Sequence, residues 1–149
     1  MRIFVAFVVV LAACAQQKAP VSDSFSDLAG MDTKSDAFSY RMKVIGSLDY
    51  GSVSASVKYT KSPRYRAFQF DGSPGDAIDV WVTSDDGDPV TWVLDGNFKT
   101  LAKNDDASSS TTNSNITLTL ADDNQAPNYI VFRDYDLLTS HFTVKLSGN

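Results

Sequence analysis

The feature that most constrains this chain is a series of short apolar runs from residue 42 onward, each with side chains alternating between two faces and each closed by a cluster of turn residues. That spacing is the mark of a sandwich or barrel rather than of helices. The runs predict strands over 42–47, 53–60, 64–70, 77–83, 90–95, 98–102, 115–120, 129–133 and 141–146. Alternation is cleanest where Ile116, Leu118 and Leu120 interleave with Thr117 and Thr119, and where Phe142, Val144 and Leu146 interleave with His141, Thr143 and Lys145. Each of these has one core face and one wet face. Turn chemistry falls between the runs, at Asp49-Tyr50-Gly51, 71–75, 85–88 and Asp122-Asp123-Asn124. All 18 acidic residues are Asp and none is Glu, which disfavours long helices and suits Asx turns. The expected fold is all-β, a jelly-roll-like antiparallel β-sandwich over residues 41–149. At 149 residues the chain has room for one such domain and a leader.

Ahead of the domain, Met1-Arg2 is a short positive start, and Ile3 to Leu11 is an apolar run too short to span a bilayer. One reading is an ordinary secretory signal cut at an Ala-x-Ala-like site. The other rests on Leu11-Ala12-Ala13-Cys14, which resembles the lipobox of bacterial lipoproteins and places the chain's single cysteine where that motif requires it. The resemblance implies a leader over 1–13, acylation of Cys14 and a membrane partner reached through the acyl chains. Ala15 stands where an Asp often signals inner-membrane retention, so the outer membrane is the expected location. Residues 14–40 are polar and read as a tether. The stretch from 15 to about 36 reaches on the order of 25 Å. Phe25, Leu28 and Met31 stand at helical spacing within it, weakened by Gly30 and the surrounding Asp and Ser.

The centre of the domain is a hairpin over 88–106: Val90, Trp92 and Leu94 share one strand face, Asp95-Gly96-Asn97 is a turn, and a second strand begins at Phe98. Trp92 is therefore expected in the core between the sheets. Around this hairpin stand Tyr65-Arg66-Ala67-Phe68-Gln69-Phe70-Asp71-Gly72, then Gly75-Asp76 with an alternating strand to Val82, then Asn104-Asp105-Asp106, Ile116 to Leu120, Tyr129-Ile130-Val131-Phe132 and Phe142 to Leu146. In that order they resemble the bacterial pre-peptidase C-terminal domain, a β-sandwich module appended to exported proteins. The likeness covers roughly residues 46–146. One departure is Pro127-Asn128-Tyr129, where the family has Gly-Thr-Tyr. The resemblance implies a non-catalytic module for binding, adhesion or envelope structure, or an accessory to a separate exported hydrolase.

The formal charge is −5, or −6 once Arg2 leaves with the leader, which argues against a nucleic-acid partner. The single histidine, His141, lies on the polar face of the last strand, and no Gly-x-Ser-x-Gly elbow occurs, so no catalytic residue is assigned. Acidic loops offer candidate calcium ligands in Asp85, Asp86, Asp88, Asp105 and Asp106, should both loops meet at one end of the sandwich. The competing reading is that these aspartates only form turns. Trp81 alternates with Val80 and Val82 and faces away from the core beside Asp79, so it is the candidate ligand-binding aromatic, with a polysaccharide or an exported protein as partner; together with the acidic loops it gives the alternative of a calcium-dependent carbohydrate-binding module. Asn115-Ile116-Thr117 has the form of a glycosylation sequon and is read as coincidence.

Overall fold

The computed structural model describes residues 36–148; the leader, Cys14 and the helical spacing of Phe25, Leu28 and Met31 lie outside them. One short helix, α1 (Asp36–Arg41), precedes ten strands: β1 (Met42–Ser47), β2 (Ser52–Val53), β3 (Val57–Tyr59), β4 (Tyr65–Phe70), β5 (Ala77–Thr83), β6 (Pro89–Leu94), β7 (Thr100–Asn104), β8 (Ser114–Thr119), β9 (Asn128–Asp134) and β10 (Ser140–Gly148). They form two stacked sheets, ordered β1-β4-β9-β6-β7 and β2-β10-β5-β8, with β3 also paired to β10. The pair β1–β4 is parallel and the other pairs are antiparallel. The chain is thus an all-β sandwich, as its alternation requires.

Two of the expected strands are redrawn, each by a side chain. The run over 53–60 splits because Ser54 takes over part of the ladder: its N–H donates to Val144 O at 2.8 Å, and its Oγ accepts from Val144 N at 3.0 Å. β2 and β3 therefore lie end to end along β10 as a broken edge strand, an arrangement that blunts an open sheet edge. The strand expected from Phe98 starts at Thr100 instead. Asp95 Oδ1 accepts from the N–H groups of Asn97 and Lys99, both at 2.9 Å, and the turn it closes holds Phe98 at φ 62°. A residue in the left-handed region cannot continue a strand.

Between the sheets lies the main core. Phe68, Phe70, Val93, Ile130 and Phe132 enter from the first sheet, and Ile78, Val80, Val82, Ile116, Phe142, Val144 and Leu146 from the second. Phe132 joins the layers edge-on to Phe142 at 5.7 Å, and Tyr59 of the neighbouring β3 meets Phe142 edge-on at 5.8 Å within the second sheet.

Trp92 is fully buried but not between the sheets. It lies on the opposite face of the first sheet, in a second cluster with Phe38, Tyr65, Ala67, Val90, Leu94 and Val131. Phe38 of α1 covers it, with ring centroids 5.8 Å from Trp92 and 4.9 Å from Tyr65, and Tyr65 meets Trp92 at 87°. The expectation for Trp92 is corrected accordingly. β6 is buried on both faces, so its alternation shows which residues share a face but not which face looks inward.

Candidate binding face

The outer face of the second sheet presents β5 as its axis. Strand alternation sends Ile78, Val80 and Val82 into the core and leaves Asp79, Trp81 and Thr83 outside, each partly exposed. Register then sets their neighbours: Asp79 lies between Ser147 of β10 and Thr117 of β8, and Trp81 between Lys145 and Asn115.

Trp81 is held in place. Its indole Nε1–H donates to Asp79 Oδ2 at 3.2 Å, and the other oxygen of that carboxylate accepts from Asn115 Nδ2 at 2.6 Å. Asn115 Nδ2 also donates to Val80 O at 3.1 Å, which anchors the amide to the backbone. A side chain with its polar edge tied to the sheet leaves its ring surface for a ligand and has little rotamer freedom to lose on binding. Asn115, read only as a chance sequon in the sequence, belongs to the site through its register opposite Trp81.

Depressions flank the ring on both sides along β5. One, of about 450 Å³, is lined by Ala77, Asp79, Thr117, Thr119 and Ser147 together with Ile78, Leu118 and Gly148. The other, of about 250 Å³, is lined by Ser56, Thr83, Asp85, Asp86, His141 and Thr143, together with Ser84. Here His141 is exposed but paired, with Nδ1 2.8 Å from Asp86 Oδ2, while Asp86 Oδ1 accepts from His141 N at 2.7 Å. The bond from the imidazole, followed by that from the backbone N–H, holds the Asp86 carboxyl below its usual range. Ser84 Oγ donates to His141 O at 2.7 Å, so this hydroxyl is engaged with a carbonyl. The face is a shallow trough rich in hydroxyl and carboxylate groups with one indole at its middle.

The candidate calcium ligands divide between two places. Asp86 is tied to His141, and Asp85 lines the same depression. Asp88 feels the charges of Asp105 and Asp106, and also those of Asp134 and Asp136, two residues the sequence did not single out. Burial first, and then Asp106, Asp134, Asp105 and Asp136, raise the Asp88 carboxyl above its usual range. Asp88 Oδ1 is buried without a hydrogen-bond partner among the described residues, whereas buried Asp134 accepts from Leu138 N, Asp88 N and Ser140 Oγ. Among the described residues no three His, Cys, Asp or Glu side chains are grouped as a metal would need.

No protein-family model matches the chain, and no curated protein matches it in sequence. Solved structures do share its fold. The pre-peptidase C-terminal domain of a collagenase from Bacillus anthracis is similar at a TM-score of 0.52 and 10% identity, covering 71% of this chain and 94% of that one. PliG of Aeromonas hydrophila, a periplasmic inhibitor of g-type lysozyme, is similar at a TM-score of 0.54 and 8% identity, covering 72% of this chain and 97% of that one. At such identities the likeness concerns the fold alone.

Proposed function

We propose that this protein is a non-catalytic binding module of the bacterial cell envelope, tethered through an acylated Cys14, with the outer face of its second sheet as the ligand surface and a polysaccharide as the ligand. The observation that carries the reading is the Trp81–Asp79–Asn115 network, which spends a carboxylate and an amide on orienting one partly exposed indole. The depressions on either side, lined by Thr, Ser and Asp side chains, suit a polyol chain running along β5, since hydroxyls and carboxylates both pair with sugar hydroxyls. Both structural neighbours bear the names of non-catalytic domains, which agrees with this reading.

The test is binding of the full-length chain to purified peptidoglycan and to an array of linear glycans, against Trp81→Ala. The variant should lose at least tenfold in affinity, or about 1.4 kcal/mol, with its melting temperature nearly unchanged. Binding that survives Trp81→Ala would remove this face from consideration. Failure of every glycan to bind would refute the polysaccharide assignment.

A further inference from the structure

The two side chains that flank Trp81 across the sheet are used differently. Asn115 of β8 is committed to the fold, because its amide donates to Asp79 and to the Val80 carbonyl. Lys145 of β10, in register on the other side, is exposed and forms no hydrogen bond or ion pair among the described residues. Directly opposed residues in such a ladder have Cβ atoms about 4.5–5.5 Å apart. The lysine stem therefore starts beside the indole, and its three ammonium donors can reach a group lying over the ring.

The charges around that ammonium decide what it can receive. Its neighbours on the outer face are Thr143 and Ser147 along β10, Trp81 on β5, Val53 on β2, and diagonally Asp79 and Thr83. Asp79 is the one carboxylate among these, and it leans the other way: Oδ1 accepts from Asn115 on the β8 side, and Oδ2 from the indole. Farther along the face, beyond Thr83, Asp86 is paired with His141, Asp85 lines the same depression, and Lys58 of β3 stands opposite His141. Charge is thus divided across Trp81, with a tied carboxylate towards β8 and an untied ammonium towards β10. Val53, in register with Lys145 and 57% exposed, gives the ammonium an apolar flank opposite the indole. A sugar ring laid over these flanks displaces water, and an ion pair strengthens as water leaves.

We propose that Lys145 makes the Trp81 face selective for an acidic polysaccharide, by pairing with a carboxylate carried on the sugar that stacks on Trp81. The assignment rests on the polysaccharide reading above. To that reading it adds the charge of the ligand and the way it lies, with its carboxylate towards β10 and its neutral hydroxyls towards Asp79 and Asn115. The reversed orientation is rejected, since it would set the ligand's carboxylate against that of Asp79.

The experiment measures the affinity of the full-length chain for hexamers of galacturonic acid and of glucuronic acid, each beside its methyl ester, which keeps the sugar skeleton and removes the charge. A partly exposed ion pair should make the acid bind about fivefold more tightly than its ester. Lys145→Gln should abolish that ratio while leaving the melting temperature and the affinity for the ester unchanged, and Lys145→Arg should keep it. Salt at several times the physiological level should shrink the ratio. Trp81→Ala should weaken acid and ester alike. Equal binding of acid and ester by the natural chain, or a ratio that persists in Lys145→Gln, would overturn the carboxylate assignment and leave the polysaccharide reading standing. Failure of both acids and both esters to bind would also overturn it, while neutral glycans still test the broader reading.

Discussion

Replacing Phe38 by Ala tests the least expected part of the architecture, the second core on the outside of the first sheet. Phe38 is 1% exposed and packs against Tyr65 and Trp92, so its ring is the cover of that core rather than a bystander. Removing a buried Phe costs about 1.5–3 kcal/mol in transfer alone. The cavity left behind brings such changes to about 3–5 kcal/mol. α1 has only six residues and lies at the surface, so it can settle partway onto the sheet, and about 3 kcal/mol is the expected loss. For a domain of this size that is a fall of about 12 °C in melting temperature. Trp92 supplies a second readout. In a Trp81→Phe background its emission should shift to the red and become accessible to acrylamide once Phe38 is gone. Tyr40→Ala on the same helix is the control, since that ring is 70% exposed and its loss should cost under about 0.5 kcal/mol. If Phe38→Ala melts like Tyr40→Ala and the Trp92 emission stays where it was, α1 does not cap the sheet and the second core is wrong.

Two further outcomes follow from the acidic end of the sandwich. Because the Asp88 carboxyl is raised above its usual range, the folded state holds that proton more tightly than the unfolded one does. The resulting stability is present at acid pH and lost as pH rises through the raised value. Asp88→Asn should therefore melt higher than the natural chain at pH 7 and lose that advantage near pH 3; an unchanged difference across the range would show that Asp88 is not the strained group. If the 85–88 and 104–106 loops closed on a calcium ion, millimolar calcium would raise the melting temperature beyond magnesium or sodium chloride at equal ionic strength, by about 2.7 kcal/mol at a hundredfold excess over Kd, and Asp105→Asn with Asp106→Asn would abolish the rise; with no three such side chains grouped among the described residues, equal shifts are expected. A rise specific to calcium would refute the reading of these aspartates as turn formers.

The strands were legible because alternation is a local property. The 77–83 strand and the 42–47 strand stand where the pattern puts them, and Trp81 emerges on the outer face because the neighbouring Val80 and Val82 are needed inside. Asp95 as the organiser of a turn was legible too, although the left-handed Phe98 that follows from its two hydrogen bonds was not. Tertiary structure alone decided the rest. Alternation groups Val90, Trp92 and Leu94 on one face, but β6 has two apolar faces, and only the stacking of the second sheet against Val93 makes the Trp92 side the outer one. That side needs a cover, and it comes from Phe38 in a stretch that composition assigns to the tether. The binding face likewise depends on pairing at a distance: Asp79 and Asn115 are 36 residues apart, and the register of β5 on β8 brings the amide to the carboxylate that holds Trp81. Periodicity specifies which side chains travel together along one strand; which strand they meet, and what covers them, depends on how the whole chain packs.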